Sequence, residues 1–235
     1  MQDKSLYFYK KRKVFSVKMK IVGVVSEFNP FHKGHEYLLS RLREGGAELV
    51  ICVMSGDFVQ RGEPAFADKY TRAAMAVRGG ADIVLELPYP YSAAGAEYFA
   101  SAAVRILSAV GVNTLGFGSE CGDIEKLQNA AARVADNKFS EEYKRLCREG
   151  WGGAVAYFKA YKELYGEDCP GGSNDILGIE YIKSSRNLGA LLAFETVTRK
   201  GAEYTSLELP ENSFASASAL RGKMLDEGNL DGLRA

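Results

Sequence analysis

Five short apolar runs, each set apart from the next by residues with helical spacing, leave this chain few folds to choose from. The runs are Lys20 to Ser26, Glu48 to Met54, Asp82 to Leu87, Val112 to Phe117 and Ala190 to Thr198. The second is almost continuously apolar, as in strands that a parallel sheet buries on both faces. Between the runs, helices are predicted from His35 to about Arg43, closed by Gly45-Gly46, and from Lys69 to Arg78, capped by Asp68 and closed by Gly79-Gly80. A longer one runs from Ala93 to Val110, with Phe99, Val104, Leu107 and Val110 as its apolar contacts. Helical segments follow over Ile124 to Ala135, Ser140 to Arg148 and Ala154 to Tyr165. Ser173-Asn174-Asp175 reads as the cap of a helix ending near Ser185, and a last helical piece begins around Ser216. Strands alternating with helices in this way form a parallel α/β sheet with right-handed crossovers. Such sheets bind ligands outside the carboxyl ends of their strands, where the strand order reverses. The loops at 26–35, 55–64 and 116–120, together with Arg199, all follow predicted strand ends, so they are expected to share one site.

The chain has two histidines, and both stand in the first of these loops, Ser26-Glu27-Phe28-Asn29-Pro30-Phe31-His32-Lys33-Gly34-His35. A strand-to-helix turn offers unpaired backbone N–H groups and the positive end of a helix dipole to an anion. Imidazoles there can donate hydrogen bonds to phosphate oxygens, and Gly34 lets a nucleotide come close to the backbone. Metal binding and plain helix capping compete with that reading; a metal would need a third ligand, and the neighbouring sequence supplies none.

Bulk properties narrow the class. The 235 residues are 46% hydrophobic and 26% charged, enough for a sizeable core without disulfide or metal staples. Thirty basic and thirty acidic side chains balance to zero, so no global charge advertises nucleic acid. Cys52, Cys121, Cys147 and Cys169 are widely spaced and suggest reduced thiols rather than a zinc site or disulfide framework, which fits a cytoplasmic protein. No apolar run approaches membrane-spanning length. Residues 1–18 contain Lys10-Lys11-Arg12-Lys13 but no signal-peptide apolar stretch, and are expected to be a disordered basic leader to a domain over 19–235.

The segment Phe28-Asn29-Pro30-Phe31-His32-Lys33-Gly34-His35 resembles the H-x-G-H signature of the nucleotidyltransferase superfamily. The chain is further similar to the bacterial tRNA(Met) cytidine acetate ligases through Met54-Ser55-Gly56-Asp57-Phe58-Val59-Gln60-Arg61-Gly62-Glu63-Pro64, Asp68-Lys69-Tyr70-Thr71-Arg72, Phe117-Gly118-Ser119-Glu120, Asn174-Asp175-Ile176-Leu177-Gly178 and Ser216 to Arg221. The H-x-G-H turn identifies the superfamily; the run through Gln60 to Pro64 is the more specific match. The resemblance implies a Rossmann-like five-stranded sheet with helices on both faces plus extra helices. It also implies a reaction of ATP, accompanied by Mg²⁺, with acetate to acetyl-adenylate, followed by acetyl transfer to N4 of the wobble cytidine of elongator tRNA(Met).

On the same resemblance, His32 and His35 are the expected catalytic pair, and no metal site is expected. The implied ATP contacts are Val25-Ser26-Glu27-Phe28-Asn29-Pro30-Phe31-His32-Lys33-Gly34-His35-Glu36-Tyr37-Leu38, Gly118, Asn174 and Arg199. Ser216, Ser218 and Arg221 are expected at the pyrophosphate. Asn174 serves equally well as a helix cap, and simple capping also accounts for the serines. Gln60, Arg61, Lys69 and Arg72 form a polar group that could face triphosphate, acetate or tRNA; Arg61–Glu63 and Lys69–Asp68 ion pairs are the alternative. Three departures stand out: Lys33 between the histidines, Thr205 after Tyr204, and a chain that ends before the family's further helical region. Two other functions fit these residues: an adenylyl- or cytidylyltransferase for a small phosphorylated metabolite, and a weakly catalytic tRNA-binding module.

Overall fold

In the computed structural model, the described residues are 19–60, 62–199, 217 and 220–222. Five strands, β1 (Ile21–Ser26), β2 (Leu49–Ser55), β3 (Ile83–Leu87), β4 (Thr114–Ser119) and β5 (Ala193–Thr198), form one sheet in the order β3-β2-β1-β4-β5. Every pairing is parallel, with Ile21 opposite Leu49, Val22 opposite Thr114 and Thr114 opposite Ala193. The order reverses between β1 and β4, which places the switch point there. The predicted α/β sheet is the sheet found.

Side-chain alternation along β2 explains how the sheet is buried. Val50, Cys52 and Met54 join one apolar cluster with Val22, Leu39, Leu42 and Ala76. Ile51 and Val53 point the other way, into a larger cluster with Phe99, Leu107, Leu115, Leu127 and Ile179. Helices α1 (Lys33–Glu44) and α2 (Lys69–Arg78) cover the first face. Helices α3 (Ala96–Ala109), α4 (Ile124–Val134) and α7 (Ser173–Asn187) cover the second. Each fully buried leucine in these layers contributes about 2 kcal/mol of transfer free energy. The layers approach closely at Gly116, where an added Cβ would lie 2.5 Å from Leu42 Cδ2, so a larger residue would push α1 off the sheet. Helices α5 (Asn137–Arg148) and α6 (Gly153–Tyr165) are the extra helices, joined by the edge-on contact of Phe139 and Tyr157 at 5.0 Å.

Several boundaries differ from the sequence reading. Helix α3 begins at Ala96 because Tyr91–Ala93 form a separate 3-10 turn, Ala94 is extended and Gly95 takes the N-cap position. Strand β4 begins two residues late: the Val112 N–H still closes α3 on Leu107, and the Asn113 side chain instead ties down Ile21 N–H and Met19 C=O. Residues 190–192 do not join β5; the Ala190 carbonyl receives the Ser185 hydroxyl and its N–H closes α7. Among the described residues no helix is long and apolar enough to cross a membrane, and all four cysteines are free thiols. The leader at 1–18 lies outside the described residues.

Candidate active site

The loops after β1 and β4 diverge from the switch point and leave a cleft of about 400 Å³ between them. On the β1 side the backbone is held under strain. Phe28 adopts φ +45°, a left-handed conformation that costs a bulky residue of order 1–3 kcal/mol and persists only when its neighbours hold it. Its buried ring packs edge-on against Phe31 and His35, with centroids 5.1 and 4.9 Å away. The Asn29 side chain accepts from Phe66 N–H at 2.7 Å, and the Asn29–Pro30 peptide is cis.

His32 is the N-cap of α1. Its Nδ1 accepts from Gly34 N–H at 3.0 Å, while its own N–H donates to His35 Nδ1 at 3.3 Å, a capping box made of two imidazoles. The rings stack at 3.8 Å. With Nδ1 occupied as an acceptor in both, the neutral tautomer carries its proton on Nε2. Burial, followed by the charge of Arg199, lowers His32 from 6.5 to about 4. Burial, then His32, then Arg199 hold His35 well below the usual histidine range. The site therefore presents two neutral N–H donors at the positive end of a helix, and the capping and phosphate-binding readings of the sequence describe different nitrogens of the same rings.

Across the cleft, α7 starts without a cap of its own. Its N-cap is Gly172, one residue before the predicted Ser173-Asn174-Asp175. The Glu120 carboxylate reaches over from the loop after β4, accepting from Asn174 N–H at 3.1 Å, Asp175 N–H at 3.0 Å and Asn174 Nδ2 at 2.6 Å. In return, buried Asp175 accepts from the Ser119 hydroxyl at 2.5 Å and Glu120 N–H at 3.0 Å. Arg199 donates its backbone N–H to Ser119 C=O and brings its guanidinium to 3.5 Å from Glu120. Its stem lies over Gly118, 3.5 Å from where a Cβ would stand.

The expected residues fall into distinct groups. Val25, Ser26, Glu27, Phe28, Asn29, His32, Gly34, His35, Tyr37 and Leu38 line the cleft, as do Gly118, Asn174, Arg199, Gln60 and Arg221. Arg221 Nη1 donates to Asn29 C=O at 2.7 Å. Pro30, Phe31, Lys33 and Glu36 do not line it: Lys33 and Glu36 are exposed, and Phe31 packs against Gly79. Ser216, Ser218, Arg61, Tyr204 and Thr205 lie outside the described residues, and with Arg61 goes its proposed pair with Glu63.

Two of the polar group after β2 take other roles. Arg72 is fully buried and spends its guanidinium on backbone carbonyls: Ala67 at 2.9 Å, Glu27 at 2.7 Å, Ser55 at 3.0 Å, and Gly56. It pins the β1 and β2 loops together and has no face left for substrate. Lys69 pairs with Glu86 at 3.0 Å and Asp57 at 3.5 Å rather than with Asp68, whose carboxylate caps α2 through Tyr70 and Thr71 N–H. The sequence reading missed Glu120 as a site residue, and also Leu177 and Tyr181. The latter two follow Asn174 at i+3 and i+7 on α7, a helical stripe facing the cleft that spacing alone could have marked.

Comparison with known proteins bears on this site as a whole. The family model described as HIGH Nucleotidyl Transferase matches residues 19–235. The tRNA(Met) cytidine acetate ligase of Caldicellulosiruptor bescii is 41% identical over 206 residues, 86% of this chain and 52% of that protein. The crystal structure of Thermotoga maritima TmcAL, apo form I, superposes with a TM-score of 0.84 at 39% identity, covering 92% of this chain and 53% of that one. Form II of the same protein, bound with alpha-thio ATP, gives a TM-score of 0.78 at 39% identity over 89% of this chain and 51% of that one. The chain thus spans about half the length of these relatives. The match of the family model extends from the start of β1 through every strand and helix that builds the cleft, and the chain belongs to the HIGH nucleotidyl transferase family.

Proposed function

We propose that this chain binds ATP in the switch-point cleft, adenylates acetate, and passes the acetyl group to N4 of the wobble cytidine of elongator tRNA(Met) in the cytoplasm. The observation that carries the reading is the stacked pair of neutral imidazoles, His32 and His35, facing Arg199 and Asn174 across one cleft. The names of the relatives, and the ATP analogue in one of them, support it.

Adenylation needs positioning and charge stabilisation rather than a protein nucleophile. An acetate oxygen attacks the α-phosphorus of ATP. The bond from that phosphorus to the bridging oxygen breaks, and pyrophosphate leaves with the electron pair. Negative charge grows on the phosphate oxygens during this step, where Nε2–H of His32 and His35, the α1 dipole and the Arg199 and Arg221 guanidiniums donate. Because both imidazoles are neutral, they stabilise this charge as hydrogen-bond donors without transferring a proton. In the second step the cytidine amine attacks the acetyl carbonyl, AMP leaves, and the amine releases a proton.

Among the described residues no group of three His, Cys, Asp or Glu could hold a metal ion. Mg²⁺ would enter on the phosphate oxygens of ATP and on water, its usual arrangement with nucleotides, and would neutralise phosphate charge there.

The test uses the 235-residue chain with ATP, Mg²⁺, acetate and elongator tRNA(Met). Acetate-dependent ATP–pyrophosphate exchange and N4-acetylcytidine in the anticodon nucleosides by mass spectrometry are the expected results. Exchange that ignores acetate and instead follows a phosphorylated metabolite would replace this reading with that of a metabolite nucleotidyltransferase.

A further inference from the structure

The two ends of the cleft differ in chemistry. One end lies over β4 and β5, where Gly118, Asn174 and Arg199 stand. The other lies where α3 and α7 pack together, bounded by Ala96 and Phe99 at the start of α3, by Leu177 and Tyr181 on α7, and by Gln60. Its walls are largely apolar, yet the Tyr181 hydroxyl stands among them without a partner. Tyr181 is 3% exposed, its ring packs against Phe117 at 5.8 Å, and its hydroxyl makes no hydrogen bond among the described residues. Buried tyrosine hydroxyls ordinarily find a partner, so this one is free for a ligand. Burial, and then the carboxylate of Glu27, push the phenol above its ordinary value, which keeps it protonated and able to donate. Glu27 itself is already engaged by Gln60 N–H at 2.9 Å. The first turn of α3 enters the same end through Ala96, and its N-cap, Gly95, supplies no side-chain hydrogen bond.

We propose that this end of the cleft seats a short-chain carboxylic acid, with its carboxylate on the Tyr181 hydroxyl and its alkyl group against Ala96, Phe99 and Leu177. The assignment rests on the acid-adenylating reading above and locates its second substrate. A donor is needed for the carboxylate and a dry wall for the methyl, and these residues provide both in the cleft that the histidines also line. Phe99 is buried and closes the wall, so the chamber limits the length of the acid.

Two measurements on the 235-residue chain test it: ATP affinity by calorimetry without acid, and ATP–pyrophosphate exchange with acetate, propionate and butyrate. Tyr181→Phe keeps the ring on Phe117 and removes only the donor. It should raise the KM for acetate roughly tenfold or more, with ATP affinity within about twofold of the parent. Phe99→Leu should reduce the preference for acetate over propionate by about tenfold. An unchanged acetate KM in Tyr181→Phe would overturn the assignment, and so would an equal loss of ATP and acetate binding, which would make Tyr181 part of the nucleotide wall. If the parent chain binds ATP but shows no acid-stimulated exchange, the adenylation reading itself falls, and this seat with it. The variants fail separately from that result, because they are read as a split between ATP and acid.

Discussion

Two helix starts face each other across the cleft, and they are capped in opposite ways. Helix α1 closes on itself: His32 and His35, three residues apart, exchange hydrogen bonds with backbone N–H groups of their own turn. Helix α7 has glycine at its N-cap and takes Glu120, some fifty residues earlier, as its cap. The first arrangement is stiff and leaves two nitrogens over for a ligand. The second fills the anion-attracting end of α7 with a protein carboxylate, which also holds Asn174 and Arg199. One helix start is thus poised to receive an external anion, while the other uses an internal one to position its neighbours.

Removing a donor from the first start should have the largest effect. His35→Ala is expected to reduce acetate-dependent pyrophosphate exchange on the order of 100-fold or more, the usual scale for a donor that acts on developing charge. A far-ultraviolet spectrum matching the parent would show that α1 survives, since His32 still caps it through Gly34. Near-parental turnover in that variant would remove the histidines from the chemistry and leave them as a cap only.

The same turn predicts how stability responds to acid. His32 titrates at about 4 in the folded protein against 6.5 unfolded, so the unfolded chain binds more protons between those values. Folding stability should therefore be fully present above pH 6.5 and decline as pH falls toward 4, by at most about 3 kcal/mol from this residue. Denaturant unfolding of the parent and of His32→Gln from pH 7 to 4.5 checks it. The stability difference between the two should shrink on acidification, and a constant difference would refute the neutral, buried assignment. Ring ¹⁵N shifts at pH 6 should independently report Nε2–H tautomers for both histidines.

The contrast also explains what could be read from the chain alone. Helix α2, Lys69–Arg78 with its Asp68 cap, has the boundaries its residues predict, because cap and helix are contiguous. The five strands and their parallel pairing follow from apolar runs that alternate with helices and that the two faces bury. The reading slips wherever the partner is distant. Ser173-Asn174-Asp175 looks like a local cap, yet Gly172 is the cap residue because Glu120 needs the space. Arg72 reads, with Gln60, Arg61 and Lys69, as part of a polar group that could face triphosphate, acetate or tRNA, but the carbonyls that enclose it come from the loops after β1 and β2 and from just ahead of α2. Tyr181 has only its i+7 spacing from Asn174 to mark it; the assembled α3–α7 pair shows that its hydroxyl meets a cleft rather than a partner. Short-range hydrogen bonding is written in neighbouring residues; long-range pairing depends on which elements the sheet brings together.

Cutting the long-range cap should cost less than disabling the histidines, and it should damage stability and nucleotide binding together. Glu120→Ala removes the acceptor for the first turn of α7 and the counter-charge of Arg199. A loss of about 1–2 kcal/mol in unfolding free energy is expected, the range for helix caps, with ATP affinity weakened because Asn174 and Arg199 lose their anchor. Thermal denaturation and calorimetry measure both. If stability falls but ATP affinity holds, the carboxylate caps α7 without positioning the site.

Gly172→Ala makes the finest cut. The backbone at 172, φ −64° and ψ 154°, suits alanine as well as glycine, so no strain arises from the main chain. The added Cβ would nevertheless lie 2.2 Å from Glu120 Oε2 and 2.4 Å from its Cδ, and the carboxylate must move aside. Glu120 is a flexible side chain at a partly exposed site, so it can retreat while keeping some of its bonds to Asn174 and Asp175. The expected loss is about 0.5–1 kcal/mol, a fall of about 1–4 °C in Tm for a domain of this size. In a Glu120→Ala background the same substitution should lose most of that effect, since the atom it displaces is gone. Additive losses in the double variant would mean that glycine is required at this N-cap for another reason, and that the close approach of Glu120 is incidental to the stability of α7.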